Sequence, residues 1–291
     1  MRSHLVTLVG CRGATGVKSQ FLAARVSPVC SIIAALGVWP GKPLVIAANR
    51  DEALDRPASP PAVWPVGEVA VRRVLAPRDL KAGGTWLGFN DAELFVGITN
   101  RRKRPDPNRR SRGELVFAAL GAASPAEAAA RIRALDPRDY NPFHLLMADR
   151  SGGQVIWGDG EAFHELALET GRIHWVTERS YGAGPSKRHT LLEHLAETLP
   201  KAPAPSAEQW RGILAEHGLG RRGGPERPMA MAIRLDALCV HAKPLNYGTR
   251  SSTFVELGDE RGDARFLHAH GRPCETEWFD HSADVAELLA V

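Results

Sequence analysis

Two apolar runs separated by a tight-turn signal constrain the fold of this chain more than any other feature. The runs Ser31–Val38 and Lys42–Ala48 are rich in apolar residues, and Trp39-Pro40-Gly41 lies between them. This pattern predicts two antiparallel strands joined by a short turn. The second strand leads directly into Asn-Arg-Asp-Glu at 49–52. Because charges are rarely buried alone and successive strand residues point to opposite faces, we expect at least one of these four groups to have a buried partner or a ligand.

The rest of the pattern predicts an α+β fold in which two sheets pack together and helices lie outside them. Further strands are predicted at Val69–Leu75, Thr85–Phe89, Leu94–Thr99, Phe143–Asp149, Gly153–Trp157, Glu161–Leu168, Thr253–Glu256 and Ala264–His268. Helices are predicted at Ser111–Leu120, Ser124–Ala134, Pro185–Leu199, Ala207–Glu216 and Ser282–Leu289, the first two with Ser and Glu in capping-box positions. Pro57–Pro65 is predicted to be a surface loop, and Arg101–Arg112 a basic loop that is either solvated or a clamp for an anionic group.

Composition excludes several classes of protein. The 291 residues are 44% hydrophobic and 24% charged, which is typical of a soluble globular chain with a large core. A net charge of +4 is weak evidence for a nucleic-acid partner, and we predict none. No run of 18 apolar residues is present, so we predict no integral membrane segment. The oligomeric state is not readable from these features.

The four cysteines are too widely spaced for a disulfide framework or a Cys-x-x-Cys metal site, which favours a reducing, cytoplasmic setting. His189 and His194 are five residues apart, a poor spacing for one helix face, and His268 and His270 lack an obvious third ligand. His241 lies near Cys239, and packing is the simpler interpretation of that pair. We therefore predict no metal and no cofactor.

Residues 1–29 differ from the rest and are predicted to be an extension outside a single domain at 30–291. They contain no Asp or Glu. Val29 precedes Cys30, and a GUG codon specifies methionine when it initiates translation, so a true start at Val29 followed by methionine removal would leave Cys30 at the N-terminus. A transit peptide or a self-cleaved propeptide are the alternatives, as is an ordinary internal cysteine.

A cysteine at a free N-terminus is a self-sufficient nucleophile. Its own α-amino group has a pKa near about 8 and can accept the thiol proton. Arg50 would favour the thiolate and Asp51 could orient the amine. Acyl transfer also needs donors for an oxyanion, and Asn100, at a strand end, is well placed for that role or for a turn cap. A predicted glycine turn at 247–253 presents Thr249 and Arg250, and a structural salt bridge is the alternative for Arg250.

Several short motifs carry a resemblance to a known family. They are Cys-Ser-Ile-Ile-Ala at 30–34, Asn-Arg-Asp-Glu at 49–52, Arg-Asp-Leu-x-x-Gly-Gly-Thr-Trp-Leu-Gly at 78–88, Ile-Thr-Asn-Arg at 98–101, Ser-Arg-Gly-Glu-Leu at 111–115 and Tyr-Gly-Thr-Arg-Ser-Ser-Thr at 247–253. Their order over roughly residues 29–270 resembles the NRDE family, which includes the transport and Golgi organisation protein 2 homologues. That family is similar to N-terminal-nucleophile hydrolases of the bile-salt hydrolase and penicillin V acylase group. The resemblance implies a four-layer αββα sandwich and either hydrolysis of a linear amide C–N bond or acyl transfer.

The resemblance also implies roles for individual residues. Cys30 would be nucleophile and base, Arg50 and Asp51 would hold it, Asn100 would line the oxyanion site and Arg250 would complete the polar cluster. A small-molecule ligand or amide substrate would then lie against Asn49, Trp86, Arg101 and Thr249.

Two features of the chain depart from the hydrolase pattern. The order Asn-Arg-Asp-Glu is permuted relative to the Arg-Asn-x-Asp of those hydrolases. Glu178 replaces an expected amide, and a negative charge facing an oxyanion would oppose catalysis. The alternative function is a non-catalytic protein that binds or traffics a lipid-like, acyl or haem ligand.

Overall fold

Two antiparallel sheets carry the strands of the described chain, and each contains seven strands. A computed structural model describes residues 30–66, 72–101, 103, 105–181, 187–217, 235 and 237–290. The predicted extension at 1–29 lies outside these residues. In chain order the strands are β1 (Ser31–Trp39), β2 (Lys42–Ala53), β3 (Ala58–Val66), β4 (Arg72–Asp79), β5 (Leu87–Asn90), β6 (Phe95–Asn100), β7 (Phe143–Asp149), β8 (Gly152–Gly158), β9 (Phe163–Leu168), β10 (Arg172–Val176), β11 (His241–Ala242), β12 (Tyr247–Leu257), β13 (Ala264–Ala269) and β14 (Phe279–Asp280).

The first sheet is built on the hairpin that the sequence predicted. Strands β1 and β2 pair antiparallel with Ser31 opposite Asn49 and Leu36 opposite Leu44. The strand order is β10-β1-β2-β12-β13-β14, with β11 beside β12. The end of β2, with the Asn-Arg-Asp-Glu run, therefore lies inside the sheet between β1 and β12. The second sheet runs β3-β4-β5-β6-β7-β8-β9 in sequence order.

Alternation along the hairpin separates two cores. Ile32 and Ala34 of β1 belong to the core between the sheets, whereas Ile33 and Ala35 belong to a second core on the opposite face. Strands β1 and β2 contact β6, β7 and β8 across the first core. Successive strand residues point to opposite faces, so even-numbered positions of this hairpin face the second sheet.

The helices form the two outer layers and one edge. In chain order they are α1 (Gly113–Leu120), α2 (Pro125–Arg133), α3 (Lys187–Thr198), α4 (Ala207–Leu214) and α5 (Ser282–Leu289). Helices α1 and α2 pack on the second sheet, and α3 and α4 pack on the outer face of the first. Helix α5 closes one edge against β13 and β4. The predicted α+β, αββα architecture is confirmed. None of the helices in the described ranges is long and apolar enough to cross a bilayer.

Three local predictions are wrong. Pro57–Pro65 is not a loop, because 58–66 form β3; this is an edge strand, where prolines are tolerated, and its register shifts between Ser59 and Ala62. Helix α1 begins at Gly113 after Arg112, without a side-chain cap. The segment 247–253 is not a turn but part of β12, which is paired with β2 from Tyr247 onward.

Candidate active site around Cys30

Strand alternation places Cys30 and Arg50 on one face of the first sheet. Ser31 pairs with Asn49, so Cys30 lies beside Arg50 at the neighbouring position. Both are even-numbered and face the second sheet, whereas Asn49 and Asp51 face the helical layer formed by α3 and α4. The Asn-Arg-Asp-Glu run is thus divided between two environments, and only one of them contains the thiol.

A cavity of about 540 Å³ opens over Cys30 between the two sheets. Six basic and three acidic side chains line it, together with polar and small residues. The basic residues are Arg50, Arg56, Lys81, Arg109, Arg110 and Arg112; the acidic ones are Glu52, Asp79 and Asp106; Trp86, Asn100 and Asn141 are among the others. The basic loop predicted at 101–112 contributes its second half to this wall. The cavity is therefore suited to a polar ligand that carries negative charge.

The Cys30 thiol is held protonated by its surroundings. Burial raises its pKa to about 12, and the charge of Asp51 adds to this increase. The backbone N–H of Asp51 donates to the sulphur, and Arg50 lies close enough to favour the thiolate, but both effects are smaller than burial. Only 8% of Cys30 is exposed. A base adjacent to the sulphur is therefore needed before this thiol can act as a nucleophile.

Arg50 is held by an acid and by an aromatic ring. Its Nη2 atom donates to Asp79 Oδ2 at 2.9 Å, and its guanidinium carbon lies 4.1 Å from the centre of the Trp86 ring. Burial lowers the pKa of Arg50, while Glu52, Cys30 and Asp79 oppose that change. The indole Nε1 of Trp86 is buried and has no hydrogen-bond partner among the described residues. Trp86 thus orients Arg50 from a position in the cavity wall.

Asp79 organises the cationic wall, and sequence reasoning did not assign it a role. Its Oδ2 atom also accepts from Arg56 Nε at 2.6 Å, and its Oδ1 atom accepts from the backbone N–H groups of Lys81 and Ala82 at 3.0 Å. These contacts outweigh burial and lower the pKa of Asp79. The signal was present in the Arg-Asp pair at 78–79 that begins the glycine-containing motif.

Arg112 is a second residue that sequence reasoning missed. Its guanidinium donates to the carbonyl of Pro142 at 3.0 Å, and no carboxylate in the described part of the chain lies within ion-pair distance of it. Burial lowers the pKa of Arg112 to about 10, while the charges of Cys30 and Glu52 oppose the change. Arg112 is therefore a cavity cation that forms no ion pair with a carboxylate of the described residues.

A backbone contact positions Arg112. A Cβ atom added to Gly84 would lie 2.8 Å from the Cα of Gly113, which is closer than real Cβ contacts allow. The Gly-Gly-Thr-Trp motif therefore meets the Ser-Arg-Gly-Glu motif with no side chain between them. This close approach brings the start of α1, and with it Arg112, to the cavity that Cys30 also lines.

Asp51 is buried on the other face of the sheet. Arg188 of α3 donates to its Oδ2 atom at 3.0 Å, and the Thr249 hydroxyl donates to Oδ1 at 2.6 Å. Arg188 also donates to the Ser31 hydroxyl at 2.7 Å. Burial raises the pKa of Asp51 to about 6, although Arg188 and Thr249 oppose the increase, and the charge of Glu178 adds to it. This cluster ties the first residue of β1 to α3 directly behind the thiol.

Several predicted site residues lie outside the cavity wall. The Asn49 amide donates to the carbonyls of Leu214 and Leu238, both at 2.8 Å. The Thr249 hydroxyl donates to the Asp51 carboxylate. Arg101 donates to the carbonyl of Tyr181 at 3.2 Å, and Arg250 donates to the carbonyl of Arg56 at 3.3 Å. For Asn49 and Thr249 the reason is alternation and pairing, because odd positions of β2 face the helices and Thr249 is paired with Asp51. Arg250 instead stands at an irregularity in the pairing of β12 with β2, between Thr249 and Ser251.

Glu178 is also outside the cavity wall. It is 9% exposed, and its charge acts on Asp51 and Arg188. Its negative charge therefore lies on the helical side of the sheet and does not face a ligand held over Cys30.

Comparisons with known proteins match most of the chain. The family model described as Transport and Golgi organisation 2 matches residues 29–270. The human Transport and Golgi organization protein 2 homolog is 32% identical over 245 residues, which is 77% of this chain and 84% of that protein. The mouse homolog is 33% identical over 119 residues, which is 39% of this chain and 42% of the mouse protein, so that match spans less than half of the relative.

A solved structure shares the fold. A mutant of the conjugated bile acid hydrolase from Clostridium perfringens superposes with a TM-score of 0.55, covering 87% of this chain and 93% of that one. The two sequences are 11% identical, so the likeness concerns the fold alone.

Proposed function

The chain belongs to the Transport and Golgi organisation 2 family, as its motifs predicted, and we propose that it is an N-terminal cysteine amidohydrolase that cleaves a linear amide C–N bond. The observation that carries the proposal is the setting of Cys30. Its thiol lies at a polar cavity, accepts a hydrogen bond from the backbone N–H of Asp51 and shares its sheet face with Arg50. A nucleophile in such a cavity, with a cation beside it, is the arrangement that acyl transfer requires.

The proposal requires a free α-amine on Cys30, so the active chain would begin at this residue. A thiol with a pKa raised to about 12 supplies almost no thiolate at neutral pH. No histidine lines the described cavity wall, so another base must accept the proton. The α-amine of an N-terminal residue has a pKa near about 8 and would lie next to the sulphur. Residues 1–29 would block this base for as long as they remain attached.

The reaction then follows from the positions of these groups. The α-amine takes the thiol proton, and the sulphur attacks the amide carbonyl carbon to form a C–S bond and an oxyanion. The side-chain amide of Asn100 donates to that oxygen. Collapse breaks the C–N bond, and the departing amine takes the proton from the α-ammonium group. Water hydrolyses the thioester in the same way, which releases a carboxylic acid and restores the thiol.

The charge of the cavity supports a substrate with an anionic group. Arg50 and Arg56 share Asp79, and Arg110 pairs with Glu114 at 2.6 Å, but Arg112 has no such acid among the described residues. A carboxylate bound to Arg112 would receive a charge-assisted hydrogen bond worth about 1.5–3 kcal/mol. The proposed substrate class is therefore an amide that carries a carboxylate or a similar anion.

A strained acyl donor tests the proposal directly. A β-lactone acylates a nucleophilic thiol by ring opening, so each labelled chain gains the full mass of the probe. Three forms are compared by intact mass: a chain beginning at Cys30, the same chain with one glycine before Cys30, and the chain with residues 1–29. We expect rapid labelling of the first form alone, because the thiol and cavity are matched in all three and only the α-amine is displaced.

Two outcomes would contradict the proposal. Failure to label a chain with a verified free Cys30 amine refutes the hydrolase. Equal labelling of the form with the extra glycine refutes the role of the α-amine. For the substrate class, Arg112→Gln should slow labelling by a carboxylate-bearing β-lactone about tenfold but leave its methyl ester unaffected. Arg110→Gln is the matched control, because Arg110 also lines the cavity but already has Glu114 as a partner.

A binding protein without catalysis is the second candidate, and one observation favours it. In a chain where Cys30 is preceded by a peptide bond, burial keeps the thiol protonated, so the cavity can hold an acyl or other small ligand without reacting. The same comparison separates the two functions. A binder would take up an anionic ligand in all three forms and would be acylated in none.

A further inference from the structure

A second cluster of reactive side chains lies outside the cavity. His217 follows α4, and Cys274 lies between β13 and β14. Cys239 lies two residues before β11, and His241 is the first residue of that strand. The ligand atoms of these four residues all lie within 4.8 Å of one another. We call this group the Cys2His2 cluster. None of its members lines the cavity over Cys30.

The separations in the cluster fit a tetrahedral zinc ion. Zinc forms bonds of about 2.3 Å to sulphur and about 2.0–2.1 Å to nitrogen. Tetrahedral geometry therefore requires about 3.8 Å between two sulphurs and about 3.6 Å between a sulphur and a nitrogen. The sulphurs of Cys239 and Cys274 are 3.4 Å apart, and His241 Nε2 is 3.5 Å from the first and 3.2 Å from the second. The three atoms already surround one point, and small side-chain rotations would complete the tetrahedron.

The orientation of His241 supports the same conclusion. Its Nε2 atom faces both sulphurs, while its Nδ1 atom lies 3.8 Å from Glu275 Oε1. Histidines that bind metals commonly direct their other ring nitrogen at a carboxylate, which sets the tautomer and the ring plane. Glu275 is itself held by Arg272 at 2.9 Å. A carboxylate is therefore in place behind the ligand nitrogen.

We propose that the Cys2His2 cluster binds one zinc ion in a closed, structural site. Two thiolates would neutralise the charge of the ion, and two neutral imidazoles would complete its four ligands. Because all four positions are filled by protein, the ion would hold no water for catalysis. Its role would be to join chain segments that are far apart in sequence.

Zinc would hold the segment 238–241, whose backbone forms hydrogen bonds with residues of the Asn-Arg-Asp-Glu run and of β12 on the helical face of the first sheet. The Leu238 carbonyl accepts from the Asn49 amide, and the Val240 backbone N–H donates to the Thr249 hydroxyl, which in turn donates to Asp51. The backbone N–H of Cys239 donates to the Glu216 carbonyl, which brings His217 beside it. An ion bound here would thus stabilise the contacts of Asn49 and Asp51 without touching the cavity.

Metal analysis of the full chain tests the proposal. Protein produced with zinc in the medium and purified without chelators should contain about one zinc per chain, and less than about a tenth of that in Cys239→Ser and Cys274→Ser. Cys30→Ser and His270→Gln are matched controls that change the same residue types outside the cluster. Both should retain the metal of the unaltered chain.

A second measurement does not depend on variants that fold. Cobalt(II) added to the chelator-treated, unaltered protein should give the thiolate charge-transfer band and the visible absorption of a tetrahedral site, and zinc should abolish both. Zinc retained in the double variant Cys239→Ser/Cys274→Ser would overturn the proposal. So would the absence of these bands from the metal-free chain, or a disulfide between Cys239 and Cys274 found by peptide mass spectrometry of the protein as purified.

Discussion

Replacing Arg188 by methionine tests whether the cluster behind Cys30 stabilises the fold through charge. Arg188 and Asp51 form a 3.0 Å ion pair in which the side chains are 1% and 0% exposed. Methionine preserves much of the buried volume but leaves the Asp51 carboxylate without a cation. Removing one partner of a buried ion pair costs about 3–5 kcal/mol, because the remaining charge stays buried. That is a large share of the roughly 5–15 kcal/mol that stabilises a typical domain.

The loss should depend on pH, and its sign follows from Asp51. Burial raises the pKa of Asp51 from 3.8 to about 6 in the folded chain. The folded state therefore binds the proton more tightly than the unfolded state, so the contribution of Asp51 to stability falls as pH rises from about 4 to about 6. Without Arg188 the folded pKa rises further and the window extends upward. We expect Arg188→Met to be more destabilising at pH 8 than at pH 5.

Urea unfolding of four proteins measures the coupling. They are the unaltered chain, Arg188→Met, Asp51→Asn and the double variant, compared at pH 5 and pH 8. The double variant should be markedly more stable than the sum of the single losses predicts, because with asparagine at position 51 no unpaired charge remains buried when Arg188 is replaced. Arg133→Met is the control: Arg133 and Glu165 form a pair with side chains 48% and 44% exposed, and its loss should cost at most about 1 kcal/mol. Strictly additive losses, or a loss for Arg188→Met no larger than that of the control, would refute the argument.

Three further outcomes are expected. In urea unfolding, Gly84→Ala should lower the free energy of unfolding by about 1–3 kcal/mol, because the added Cβ would lie 2.8 Å from the Gly113 Cα. Gly212→Ala in α4 should raise that free energy by about 0.5–1 kcal/mol, because its Cβ would meet nothing within 4 Å. Burial lowers the pKa of His268 to about 3, so below pH about 6.5 the unfolded state binds more protons than the folded state and the stability should fall. In a series of melting temperatures against pH, His268→Asn should make that fall less steep. In the chelator-treated chain with residues 1–29, iodoacetamide should alkylate the exposed Cys274 well before the buried Cys30, as read by peptide mass spectrometry. The reverse order would show that the Cys30 thiol is already activated.

Local pattern was sufficient for the layers of the fold. The hairpin at 31–48 was readable because its apolar residues and turn signal are contiguous, and α2 because Ser124 caps it and accepts from the Glu127 backbone N–H. Strand β3 was missed because its prolines are typical of a loop. Proline lacks a backbone N–H, and this is tolerated in an edge strand, which has a neighbouring strand on only one side. The capping box predicted at Ser111 did not form: α1 begins at Gly113, and among the described residues the Ser111 hydroxyl accepts only from the Gly113 backbone N–H at 3.3 Å.

For the candidate site, too, the sequence identified residues, whereas their arrangement depended on tertiary packing. Sequence alone identified Cys30, Arg50, Trp86 and Asn100, and the structure brings these four to one cavity. Alternation also implied that Arg50 and Asp51 point to opposite faces. It could not say which face holds the cavity, because that depends on the second sheet packing over β1 and β2.

What the sequence by itself determined is the set of elements and the two-faced hairpin that ends in Asn-Arg-Asp-Glu. Tertiary structure alone decided the partners: Asp79 for Arg50, Arg188 for Asp51, and the meeting of His217 with Cys274. These residues lie tens of positions apart, so no local period or spacing relates them. Their contacts arise when the sheets and helices bury their apolar faces together, and the polar groups carried along must then pair with one another or with a ligand.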